Sequence, residues 1–111
     1  MIIRTDLEPR RRVVQLIGRF DAHEAPAFRT TVHPLVTAQT PVLHVDLAQV
    51  AFVDSTALSE LVRLQKAARA VGGEIVLVDL SDPVRVILEI TDLAPLFTTE
   101  PGADRSPADS R

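Results

Sequence analysis

The side chains of this chain that could do chemistry gather around one short stretch, Asp54-Ser55-Thr56, between the apolar run 50–53 and Ala57-Leu58. A serine at a strand-to-helix junction presents its hydroxyl at a helix N-terminus, beside backbone N–H groups whose partial positive charge favours an anion. Phosphate can be added, held and read at such a place. Asp46 and Asp79 are the other acids expected near it, and His23, His33 and His44 are the available bases.

Three chemistries could draw on this set. A serine hydrolase needs its nucleophile on a glycine-flanked elbow and a histidine base. Ser55 is flanked by Val53-Asp54 and Thr56-Ala57, His44 falls inside a strand, and His23 and His33 belong to the first helical segment. A magnesium-dependent phosphotransfer centre would take Asp46, Asp54 and Asp79 as oxygen ligands, but their separations follow no metal-ligand pattern. Strand-end aspartates serve commonly as helix and turn caps. Gly72-Gly73 closes a helix and so makes no phosphate cradle. No catalytic residue, metal or cofactor is therefore assigned. The third chemistry makes Ser55 a recipient of phosphate from another protein. Read as a plain N-cap, Ser55 lacks the capping-box acid, since Leu58 stands three residues on. An apolar Leu58 exposed in the first turn would call for a docking partner.

Elements must hold these residues in place. The 111 residues allow one domain, and with four Phe and no Trp or Tyr its core is aliphatic. Strands are expected over Ile2–Thr5 and Val13–Phe20, joined by a polar hairpin segment, with a bend or bulge at Gly18. A helical segment opens at Asp21, a plausible N-cap with Glu24 at capping-box spacing, and Pro34 shortens its far end. Val42–Leu47 reads as a buried third strand. The best helix runs from Ser55 to Val71: Ala57, Leu61, Leu64, Ala68 and Val71 step by four and three, Leu58 and Val62 widen the stripe, and Glu60, Arg63, Lys66 and Arg69 take the wet side. Ile75–Leu80 is a fourth strand. Ser81 or Asp82 caps a last helix, and Leu96–Thr99 makes a short edge strand.

The resulting fold class is α/β: a single small mixed sheet with an N-terminal hairpin and β-α-β-α-β units, helices packed on the sheet. Residues 1–99 form the domain, and 100–111, polar and rich in Pro, Ser and Asp, are expected to be a disordered tail. The C-terminal ends of the parallel strands would collect Asp46, Asp54 with Ser55, and Asp79 at one edge.

The net charge of −3 and the absence of a basic block argue against direct nucleic-acid binding. Arg10, Arg11 and Arg12 read as a solvated hairpin tip. Without cysteine there are no disulfides or thiolate metal sites. No apolar run reaches the ~20 residues of a membrane span, and Met1–Asp6 carries no signal-peptide pattern, so a cytoplasmic location is expected.

The succession Gly18-Arg19-Phe20-Asp21, Val45-Asp46-Leu47, Val50 through Leu58, Gly72-Gly73-Glu74-Ile75, and Pro83 through Leu88 followed by Leu93 and Phe97 resembles the STAS domain of anti-sigma factor antagonists. It spans nearly the whole ordered chain. The resemblance implies that Ser55 is phosphorylated by an anti-sigma factor serine kinase with a histidine-kinase-like ATP site. It implies that the unphosphorylated form binds that kinase and frees the sigma factor, and that a PP2C-type phosphatase resets the switch. Partner contacts would fall on Asp54, Ser55, Thr56, Ala57 and Leu58, with Asp21 as a neighbour. The family usually has glycine where Ala57 stands, and a methyl group there is expected to narrow a kinase's approach. A contrasting possibility is a constitutive STAS-type subunit of a lipid or anion transport complex, binding through the same helix.

Overall fold

In the computed structural model, which describes residues 1–102, β1 (Ile2–Leu7) and β2 (Arg12–Phe20) form an antiparallel hairpin. Then follow α1 (Ala25–Val32), β3 (Val42–Val53), α2 (Ser55–Ala70), β4 (Glu74–Val78), α3 (Asp82–Ile90) and β5 (Thr98–Glu100). The sheet order is β1-β2-β3-β4-β5, and every pairing after the hairpin is parallel. Parallel neighbours need a crossover, and right-handed crossovers that step always in one direction put every helix on the same face. Phe28 and Val32 of α1, Leu61 and Leu64 of α2, and Val84 and Leu88 of α3 accordingly share one cluster with Val14, Leu16, Leu43, Val45, Leu47, Ile75 and Leu77 of the sheet. The expected α/β architecture is the one observed. No helix of the described residues is long and apolar enough to cross a membrane.

The third strand departs most from expectation, running on to Val53 and delivering the chain directly into α2. Against β2 it carries an extra residue at each of two places, between Gln15/Ile17 and between Gly18/Arg19. Bulges shift side chains between faces. Leu43, Val45 and Leu47 face the core with period two, but the next core residues are Val50 and Val53, so alternation breaks just beyond Leu47, the strand end expected from the sequence pattern. Gly18, at φ +102°, stands beside the second bulge.

Around α1 the expected capping box does not form. Asp21 organises a turn of its own, its Oδ1 accepting from the N–H groups of His23 (3.1 Å) and Glu24 (3.3 Å), and the helix starts at Ala25. Glu24 occupies the N-cap position without a side-chain cap bond, and its carboxylate meets the Met1 ammonium at 3.4 Å. Ser81 likewise holds the N-cap position of α3 without a cap bond. The far end of α2 closes as Gly72-Gly73 predicts: Gly73 N–H donates to Ala68 O (2.8 Å) and Gly72 N–H to Arg69 O (3.1 Å), with Gly72 at φ +85°. At the C-terminus β5 takes in Glu100, one residue beyond the expected domain limit; Pro101 and Gly102 follow without regular structure, and 103–111 of the expected tail lie outside the described residues.

Candidate docking site at the start of α2

Ser55 is the first residue of α2, and the cap is Asp54. Asp54 is extended (φ −115°, ψ −179°), and its Oδ1 accepts from Ala57 N–H at 2.9 Å. The role weighed for Ser55 thus belongs to its neighbour, whose carboxylate satisfies one of the helix's unpaired N-terminal donors. The Ser55 side chain is left exposed, as is Thr56, and among the described residues neither hydroxyl has a hydrogen-bond partner.

The second oxygen of Asp54 reaches across to the turn between β2 and α1, where Oδ2 accepts from Ala22 N–H at 2.9 Å. That brings Asp21 beside the start of α2. Asp21 Oδ2 lies 3.6 Å from Arg19 Nε, and the Arg19 guanidinium carbon sits 4.2 Å above the centre of the Phe52 ring. Phe52, 39% exposed, and Arg19 are opposite each other in the β2–β3 ladder. Asp21, Asp54, Ser55 and Thr56 therefore share one surface, rimmed by an Arg–Phe pair that sequence reasoning passed over. Only the bulge that turns Phe52 outward could have signalled it.

Ala57 and Leu58 are placed differently. Both belong to the core, 0% and 3% exposed. The expectation that Leu58 is exposed is corrected: α2 buries a stripe wide enough to take two consecutive residues, because it packs on the sheet and on α1 together. The Ala57 methyl also faces inward, out of the path of anything approaching Ser55. Leu58 still contributes to the floor of an open groove of about 430 Å³ with Val62 and Leu93, running from Ser55 and Ser59 to Arg63 and Lys66.

The other acids do not converge on Ser55. Because β3 continues to Val53, Asp46 sits inside the strand, its Oδ1 accepting from Ala48 N–H at 3.0 Å. Asp79 occupies a left-handed position (φ +56°) beyond β4, its N–H bonded to Glu100 O. Among the described residues no three His, Cys, Asp or Glu side chains are grouped to hold a metal ion.

Glu60, expected on the wet side of α2, is 2% exposed and ion-paired with Arg29 of α1 through two guanidinium nitrogens, Nε and Nη2. Hydrogen bonding to Arg29 holds its carboxyl below the usual range. His33 Nε2 lies 3.6 Å from Glu60 Oε1, and burial pushes the His33 imidazole down. This brace joins α1 to α2 and fixes the helix that bears Ser55.

A two-layer α/β domain with this sheet order, its third strand running straight into a helix, has the architecture of a STAS domain. The family model described as "Mlab, STAS domain" matches residues 3–98, and the chain belongs to the STAS-domain family. It is 34% identical over 80 residues to an anti-sigma-B factor antagonist of Listeria monocytogenes serovar 1/2a, covering 72% of this chain and 70% of that protein. Among solved structures, an anti-sigma factor antagonist from Mycobacterium paratuberculosis superposes with a TM-score of 0.81 at 24% identity, over 93% of this chain and 87% of the other. The Bacillus cell fate determinant SpoIIAA in its phosphorylated form has a TM-score of 0.70 at 15% identity, over 98% and 96%.

Proposed function

We propose that this protein is an anti-sigma factor antagonist switched at Ser55: unphosphorylated, it binds an anti-sigma factor serine kinase in the cytoplasm and frees the sigma factor. Phosphate on Ser55 ends that binding, and a PP2C-type phosphatase restores it. The observation that carries this is the Ser55 hydroxyl, exposed and unbonded while Asp54 does the capping. Because Asp54 fills the cap, modification of Ser55 would leave the helix N-terminus capped. The relatives named as antagonists, and the phosphorylated form of SpoIIAA, support it.

Phosphorylation adds about −1.5 to −2 charges. The helix N-terminus favours that charge by about 0.3–1 kcal/mol, while Asp54, at ~6 Å in water, opposes a doubly charged group by about 1.4 kcal/mol. With the two nearly cancelling, the fold is unmoved. At an interface shaped for a hydroxyl, an unpaired buried phosphate costs several kcal/mol, and each ~1.4 kcal/mol is tenfold in affinity.

Site-mapped mass spectrometry after incubation with ATP and the anti-sigma factor kinases of the same organism is the direct test, with phosphate expected on Ser55. Ser55→Ala should bind the kinase and resist release, and Ser55→Glu should bind at least about tenfold more weakly. If both variants bind as the parent does, the switch is wrong. A second reading, favoured by the "Mlab" description of the matching family, makes the chain a constitutive subunit of a transport complex. Co-purification with a membrane ATPase, indifferent to Ser55→Glu, would select it.

A further inference from the structure

Both oxygens of Asp54 are committed to backbone donors on two different elements: Ala57 N–H in the first turn of α2 and Ala22 N–H in the β2–α1 turn, each at 2.9 Å. Capping alone needs one of them. The second joins two segments that are 32 residues apart in sequence, in front of the Phe20–Val53 pairing of β2 with β3 and ahead of the Arg29–Glu60 pair that braces α1 against α2. On one side of this link stand Ser55 and Thr56; on the other stands Asp21, whose own carboxylate shapes the turn and faces Arg19.

From this geometry we propose that Asp54 is a positioning residue: it holds the Asp21 turn at a set distance from Ser55, so that one partner meets a single pre-formed surface built from two elements. The proposal rests on the docking surface argued above but changes the part Asp54 plays in it, from a group the partner touches to one that acts through Ala22. A carboxylate is required because each of its oxygens is an acceptor. An asparagine keeps one acceptor and turns an NH₂ donor toward the remaining backbone N–H, where it cannot bond. Asparagine is as good an N-cap as aspartate, so Asp54→Asn separates the two roles: cap kept, link lost. Pre-organisation of this kind adds affinity by removing the need to order the turn on binding.

The experiment compares the parent, Asp54→Asn and Asp54→Ala as full chains, by amide hydrogen exchange and backbone relaxation at Ala22 and Ala57. In Asp54→Asn the Ala22 amide should exchange about tenfold faster, with increased motion over 21–24, while Ala57 and the melting temperature hold. In Asp54→Ala both amides should lose protection. A role limited to capping would leave Ala22 unmoved in Asp54→Asn, and that result overturns the proposal. The second readout is the rate of phosphate transfer from ATP to Ser55 by the anti-sigma factor kinase of the same organism, expected to fall about tenfold in Asp54→Asn. An unchanged rate with Ala22 freed also overturns it. If the parent itself accepts no phosphate, the proposed function fails, and the amide pattern still decides whether Asp54 links the turn.

Discussion

At the scale of the residue, the start of α2 divides its labour among neighbours: Asp54 caps, Ser55 is presented, and Ala57 and Leu58 pack. Leu58→Ala should therefore cost about 2–5 kcal/mol of stability through the cavity it leaves, measured by urea denaturation. Ala57→Gly should lose up to about 1 kcal/mol of helix propensity and leave partner affinity within about twofold, because the Ala57 methyl is buried in the core. Two half-buried histidines and the buried Glu60 predict a stability profile in pH. Burial lowers the imidazole pKa of His33 and of His44, so the unfolded chain takes up protons first and stability falls as pH drops below their ordinary value of 6.5. The Glu60 carboxyl, also lowered, contributes stability above its ordinary 4.5 that is lost as pH falls through its folded value. Denaturation midpoints against pH should thus decline in two stages, and replacing His33 and His44 with Gln should flatten the upper one.

At the scale of the element, α2 is positioned by buried polar contacts as well as by its apolar stripe. Gln65, fully buried, accepts from Ile75 N–H (2.7 Å) through Oε1 and donates to Leu96 O (2.7 Å) through Nε2, linking α2 to the start of β4 and to the turn before β5. Gln65→Leu keeps the bulk but orphans Ile75 N–H, at about 1–3 kcal/mol, while Leu96 O keeps its bond from Arg69 Nη2 (3.2 Å). At the far end of the helix, a Cβ on Gly73 would lie 2.1 Å from Pro41 O. That contact is with backbone, so Gly73→Ala should destabilise by about 1–3 kcal/mol or more through forced displacement. Thermal melts of these two variants check both figures.

At the scale of the whole molecule, the helices and the core lie on one side of the sheet, and the Ser55 surface lies where β3 passes into α2. The fold and the proposed switch are thereby separable: charge at Ser55, an exposed residue, stays outside the packed layers. Ser55→Glu should leave the far-UV circular dichroism unchanged and the melting temperature within about 4–8 °C of the parent, the shift that 1 kcal/mol produces in a domain of this size. A loss of helix signal would show that the phosphate site is part of the core.

What the sequence determined by itself was local and periodic: the order of strands and helices, the Gly72-Gly73 stop, and the serine at the strand-to-helix junction. These follow from side-chain spacing and backbone preference within a few residues, whereas the strand order β1-β2-β3-β4-β5, with every crossover stepping the same way, came from the structure. Tertiary structure alone decided which of Asp54 and Ser55 would cap, that Glu60 would turn inward to Arg29, that Leu58 would be covered, and that bulges would carry β3 on to Val53. Each of those depends on a neighbour tens of residues away, Ala22 for Asp54 and Arg29 for Glu60. A hydrogen bond or ion pair of that kind leaves no periodicity in the chain, because its energy exists only once the two elements have packed.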